Sequence, residues 1–177
     1  MLENPRAKLV ISHSVGDEGD GYAQRVHRYA DMLAVPVVFA GPWIGERRGA
    51  APDGRKLFTL QDVFPQANLV TYPSTYEGFG NAFLEAVYFK RPVVCNRYSI
   101  YRTDIEPSGF KTISFDGYLT DNVVEYARRV LHDQRYRDAM TSHNYEIGQR
   151  FFSYDVVHDE LRSLLRRAEA VCRCASG

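Results

Sequence analysis

One segment of this 177-residue chain permits few architectures. An apolar run at residues 69–72 reads as a strand and stops at Pro73. The next regular pattern opens at Gly80 and runs to about residue 89 with the period of a helix. Gly78 and Gly80 fall where the chain turns from strand into helix, and two carboxylates, Glu77 and Glu85, bracket that turn. A helix N-terminus offers unpaired N–H groups and the positive end of a dipole, and glycines let an anionic ligand approach the backbone closely. An ionised carboxylate at 85 has several acceptor sites for ligand hydroxyls and no donor. Amides for phosphate beside a carboxylate for sugar hydroxyls point to a nucleotide or nucleotide-sugar pocket. Gly78-Phe79-Gly80 starts like a dinucleotide fingerprint, but Phe83 stands where its third glycine belongs, which excludes a nicotinamide site.

The surrounding pattern alternates. Residues 8–13 read as a strand, and 21–33 as an amphipathic helix with Val26, Tyr29, Ala30 and Leu33 on one face. Residues 35–40 form a continuous apolar run of the kind buried on both faces of a parallel sheet. A polar, glycine-rich loop over 41–56 follows, then a short helix at 59–62 capped by Thr59 and ending near Pro65. Strand 69–72, helix 80–89 and strand 92–96 come next, then a short helix or turn over 100–106 and an edge strand at 111–115. Beyond Gly117 the chain reads as wholly helical, over 121–132, 135–150 and 155–170, with Thr120 and Ser153 as caps. Alternating strands and helices predict an α/β domain with a Rossmann-like, doubly wound parallel sheet and a helical C-terminal segment. In such sheets ligands bind beyond the carboxyl ends of the strands. Residues 72–77 lie at one such end.

Composition narrows the partners. The chain has 22 basic and 22 acidic residues, so its charge gives no reason to expect nucleic acid or an anionic membrane. No apolar stretch approaches the roughly 18–20 residues of a membrane span, and residues 1–5 lack the features of a signal peptide. Three cysteines suit a reducing compartment, and a cytoplasmic location is expected. Cys95 reads as a small core residue, and Cys172 and Cys174 as incidental tail residues. The five histidines, His13 included, show no metal-ligand spacing. No Asp-x-Asp pair occurs.

The longer pattern is more specific than its glycines. Ser74-x-x-Glu77-Gly78-Phe79-Gly80-x-x-x-Leu84-Glu85-Ala86, followed by Arg91-Pro92-Val93-Val94, resembles the donor-binding motif of the family 4 (group 1) glycosyltransferases. The match is close over residues 62–96. Those are retaining enzymes of the two-domain GT-B fold, and the motif lies in their C-terminal domain. The resemblance implies that residues 1–177 form a single nucleotide-sugar-binding domain, with the N-terminal acceptor domain supplied in cis or as a separate subunit. It implies no cofactor beyond the nucleoside-diphosphate sugar itself and, as the chain lacks the Asp-x-Asp pair with which the other main glycosyltransferase architecture holds a metal, a metal-independent mechanism. By the same resemblance Glu85 holds the ribose hydroxyls and Glu77 faces the donor sugar as the catalytic carboxylate. The turn Gly78, Phe79, Gly80 and Asn81 would meet sugar hydroxyls or the diphosphate. Without the motif, Glu85 would read as an ordinary exposed helix carboxylate and Glu77 as a favourable charge near a helix dipole.

Two departures accompany the likeness. By the resemblance residues 8–13 look like the second strand of that domain, because 35–41 then match the strand that follows it, and on that reading the first strand and its basic pair would lie outside these residues. Arg47, Arg48, Arg55 or Lys56 could replace that pair, or be plain solvated charges. The small-residue run that often follows the strand at 92–96 is replaced by Arg97-Tyr98-Ser99-Ile100-Tyr101. Arg97 is a candidate phosphate or acceptor contact, or a partner of Asp104 or Glu106. Two rival readings remain: a module that binds nucleotide-sugar without turnover, and a GT-B sugar-nucleotide epimerase.

Overall fold

The structure is a computed structural model that describes residues 7–12 and 20–175. The chain divides into two compact units, Met1–Gln66 and Ala67–Gly177.

In the first unit, β1 (Leu9–Ile11) pairs in parallel with β2 (Val37–Phe39), and α1 (Asp20–Met32) connects them. Val38 is 41% exposed, so β2 is not the doubly buried strand that its apolar run predicted. On α1 only Ala30 of the predicted apolar face is buried, and Tyr29 and Leu33 are exposed. The predicted loop over 41–56 contains more order than its polarity implied. It holds a 3-10 turn, Gly41–Trp43, and an antiparallel pair, β3 (Gly49–Ala50) with β4 (Lys56–Leu57). Asp53-Gly54 closes that pair, Gly54 supplying a left-handed φ of +83°. The short helix α2 (Leu60–Val63) starts as expected: the Asp62 carboxylate accepts from the Thr59 N–H at 2.9 Å and from its hydroxyl at 3.0 Å.

The second unit carries the glycine turn. Strands β5 (Val70–Tyr72), β6 (Val93–Asn96) and β7 (Ile113–Phe115) form a parallel sheet in the order β5-β6-β7. All four residues of β6 are buried, as a central strand with covered faces requires. Helix α3 (Asn81–Tyr88) crosses from β5 to β6, burying Phe83, Ala86 and Val87. It ends where Lys90 turns left-handed at φ +51° and Arg91 N–H reaches back to Ala86 C=O at 2.8 Å. After β6 the chain makes one π-helical turn, Tyr101–Ile105, whose Tyr101 and Ile105 are buried. Helices α4 (Asp121–His132), α5 (Gln134–Phe152) and α6 (Tyr154–Ala175) complete the unit. Thr120 stands at the N-cap of α4 but makes no capping hydrogen bond. The cap of α5 is Asp133, which accepts from Tyr136 N–H.

Two contacts fix this unit's core. The ring of Phe83 meets Tyr101 and Phe110 edge-on, with centroids 5.8 and 5.2 Å apart. Val94, Ile113, Val130 and Met140 form an aliphatic cluster that joins the sheet to α4 and α5. Gly148 lets α5 close on α3, since a Cβ there would stand 3.0 Å from Val87. Asn144 on α5 is buried, and its amide both accepts from Lys111 N–H at 2.8 Å and donates to Lys111 C=O at 2.7 Å. Cys95 is buried in β6, where desolvation pushes its thiol up to about 12. No described helix is long and apolar enough to cross a membrane.

Asn144→Ala orphans a donor and an acceptor at once. Each buried group left unsatisfied costs roughly 1–3 kcal/mol. Urea denaturation should show a loss of about 2 kcal/mol or more with an unchanged m-value. A loss below about 0.5 kcal/mol, the ordinary surface range, would mean that water replaces the amide without penalty.

Candidate functional site

The turn between β5 and α3 is built from below by three side chains. Asn96, at the end of β6, donates its amide to Ser74 C=O at 3.1 Å and accepts from Gly117 N–H at 3.0 Å. Tyr98 donates its hydroxyl to Phe79 C=O at 2.9 Å. The Tyr72 hydroxyl faces the Glu77 carboxylate, and burial first, then that negative charge, holds the phenol well above its usual pKa. All three supports are buried. They stand at the carboxyl ends of β5 and β6, where a parallel sheet presents its ligand site.

The two glycines do different work. Gly80 is the N-cap of α3 at φ +106°, a left-handed conformation that a side chain resists. A Cβ there would stand 2.4 Å from the Tyr98 hydroxyl oxygen and 3.3 Å from that of Tyr72. Gly78 is unconstrained: a Cβ would meet nothing within 4 Å. Gly80 therefore shapes the turn, whereas Gly78 leaves open space above it. The backbone N–H groups of Phe79, Gly80 and Asn81 donate to no partner among the described residues. Those of Gly80 and Asn81 are the donors that a helix start leaves for an acceptor, and that of Phe79 precedes the cap.

Glu85 lies on the second turn of α3, between the buried face of Phe83, Ala86 and Val87 and the solvent. It is half-buried, and its side chain has no hydrogen bond or ion pair among the described residues. Burial accordingly raises its carboxyl pKa. Glu77 is partly buried at the start of the turn, and Asn81 is exposed at the helix start.

The candidate cations are mostly engaged. Arg97 pairs with Glu106 at 2.7 Å and with Asp116 at 2.9 Å, and Arg102 also binds Asp116. The predicted alternative partner Asp104 is not used. Two arginines and two carboxylates leave this cluster neutral, and the flanking carboxylates hold the Arg97 guanidinium far up its range. A depression of about 450 Å³ opens beside it, lined by Ser114, Tyr118 and Thr120 as well as the charged residues. It offers a ligand no uncompensated charge, and the orphan amides and Glu85 lie elsewhere. In the first unit Arg48 pairs with Asp62, Arg55 pairs with Asp53, and Lys56 lies over the Phe58 ring. Hydrogen bonds from Arg48 and Thr59 hold the Asp62 carboxyl well below the usual carboxylate range. His13 lies outside the described residues. Among those residues no group of three or more His, Cys, Asp or Glu side chains could hold a metal ion.

Tyr72, Asn96 and Tyr98 do not emerge from the motif itself. The one available signal was Tyr98 in place of a small residue after β6.

The family described as glycosyl transferases group 1 matches residues 54–147. Two mannosylglucosylglycerate synthases are similar in sequence. That of Thermotoga maritima is 35% identical over 112 residues, 56% of this chain and 26% of the relative. That of Petrotoga mobilis is 48% identical over 106 residues, 60% of this chain and 24% of the relative. The chain thus spans about a quarter of the length of the curated relatives it matches. The crystal structure of TarM aligns with a TM-score of 0.54 at 19% identity, covering 88% of this chain and 34% of TarM. The fold is the α/β, parallel-sheet fold of the GT-B type.

Gly78→Ala should fold with wild-type stability, whereas Gly80→Ala should lose about 1–3 kcal/mol through strain and its clash with Tyr98. Equal losses by chemical denaturation would contradict the division of labour. Glu85 supplies a pH test. Its folded pKa is raised, so its contribution to stability is complete below the ordinary value near 4.5 and is lost as pH rises through the folded pKa. Glu85→Gln should therefore raise Tm at pH 7.5 and leave it unchanged at pH 3.5. A lower Tm at pH 7.5 would reveal a stabilising partner for the carboxylate.

Proposed function

The chain belongs to the glycosyl transferases group 1 family, and on that premise we propose that residues 1–177 are the donor-binding half of a retaining, family 4 GT-B hexosyltransferase. The observation that carries the reading is Glu85. A half-buried carboxylate without a partner, set one helical turn beyond three orphan amides, is destabilised in the free protein. Ribose hydroxyls would supply the missing hydrogen bonds, and charge-assisted bonds of this kind are among the stronger ones. The N–H groups of Phe79, Gly80 and Asn81 would take diphosphate or sugar oxygens, with Gly78 leaving space for the ligand to approach.

Glu77 is the catalytic carboxylate of this proposal. Its role is to position the donor sugar and to stabilise positive charge developing on it during departure of the nucleoside diphosphate. The shared name of the two synthases makes a nucleoside-diphosphate mannose the first donor to test. An N-terminal GT-B domain, in cis or as a separate subunit, would bring the acceptor. The chemistry proposed needs no metal and no further cofactor, and the free thiol of Cys95 accords with a cytoplasmic setting. Binding without turnover is the second reading. It is favoured by the neutral cluster around Arg97, which spends the cation at the end of β6 on Glu106 and Asp116.

Calorimetry with UDP, GDP, ADP and their hexose conjugates tests the site. The chain should bind at least one of these, and Glu85→Ala should weaken that binding about ten- to a hundredfold, from hydrogen bonds of roughly 1.5–3 kcal/mol. Folded chain that binds none of them at millimolar concentration removes the donor site as proposed. In an assembled enzyme, Glu77→Ala should lower turnover by more than it lowers donor affinity.

A further inference from the structure

We propose that Tyr98, assisted by Tyr72, is a positioning residue that aims the Gly80 amide at the donor. The structural part stands on geometry alone, while its consequence for ligand rests on the donor reading above. The carbonyl of Phe79 and the N–H of Gly80 belong to one planar, trans peptide unit, in which they point in opposite directions. Tyr98 donates to that carbonyl at 2.9 Å, so the Gly80 N–H is directed away from the phenol. The same hydroxyl blocks any side chain at Gly80, and the Tyr72 hydroxyl stands 3.3 Å from the same Cβ position. Donation into the carbonyl also polarises the peptide and strengthens its N–H as a donor.

Tyr98 is itself immobilised. It is 2% exposed, and its ring lies 5.9 Å from both Tyr72 and Tyr101. Tyr101 bonds Thr112 through its hydroxyl at 2.7 Å and meets Phe83 of α3 edge-on. The Phe79 ring packs on Phe152 of α5 at 5.7 Å. The peptide between Phe79 and Gly80 is therefore held at its carbonyl and at its preceding side chain, and its N–H is left free.

Tyr98→Phe removes the hydroxyl and keeps the ring. Tyr126→Phe is the control, since Tyr126 is hydrogen-bonded to Tyr136 at 3.0 Å, on α4 and α5, away from the turn. Two readouts decide. The amides of Phe83 and Leu84 both bond Gly80 C=O, at 3.0 and 3.4 Å, so their hydrogen exchange reports the turn. Tyr98→Phe should speed their exchange about tenfold relative to the β6 amides, and Tyr126→Phe should not. Affinity for a nucleoside-diphosphate hexose should fall about three- to tenfold in Tyr98→Phe, with the corresponding nucleoside bound as before. Unchanged exchange at Phe83 and Leu84, a change spread evenly over the unit, or an equal affinity loss in Tyr126→Phe would overturn the inference. A wild-type chain that binds no donor would refute the proposed function, and the exchange comparison would still decide whether the hydroxyl holds the turn.

Discussion

One peptide unit, between Phe79 and Gly80, sets the geometry on which the rest of the second unit depends. Its glycine is left-handed and has hydroxyl oxygens where any Cβ would go. Helix α3 can begin only there, because Gly80 C=O accepts the first helical bonds from Phe83 and Leu84. That start places Phe83 between Tyr101 and Phe110, and it directs Ala86 and Val87 at the sheet. A shift of one residue would bring Leu84 to the aromatic contact, move Glu85 to the place of Leu84 and force Tyr88 into the buried place of Val87. The orientation of Glu85 is thus inherited from a backbone conformation five residues earlier.

Charge is distributed unevenly over this frame. Arg97, Arg102, Glu106 and Asp116 satisfy one another at the ends of β6 and β7. Glu85 has no such arrangement and carries a desolvation penalty instead. Structural carboxylates are normally relieved by a partner, as Asp62 is by Arg48. A carboxylate left unrelieved beside orphan amides marks a place where stability has been given up. The support around it is the reverse. Asn96, Asn144 and Tyr98 are buried and each tie down a backbone group of another segment, so rigid elements accompany a locally unsatisfied spot.

Much of this was legible in the residues, and the reasons for the remainder are specific. Strand, glycine turn and helix around Gly78 and Gly80 were readable because backbone sterics and hydrophobic period act locally. Phe83, Ala86 and Val87, the buried face of α3, lie on that same period. The hairpin at Gly49–Ala50 and Lys56–Leu57 was hidden because its strands are two residues long, too short to show an alternation. The helix face of α1 misled, since Tyr29 and Leu33 have the right spacing and are still exposed. Glu106 was legible as one of two alternative partners of Arg97, but Asp116 was not, because that contact spans two strands. Tyr72, Asn96 and Tyr98 act through contacts across the sheet, and no spacing rule encodes those. The family match and the likeness to TarM place the fold.

Cys95 carries one more implication. Its thiol sits in the middle of the central strand, fully covered, with ionisation deferred to about pH 12. Thiol chemistry needs both thiolate and access, and the native strand supplies neither. Alkylating reagents and oxidants must wait for the sheet to open. The rate at which this sulfur is modified is then a clock for sheet opening. Oxidative ageing at this residue would follow unfolding and would not initiate it.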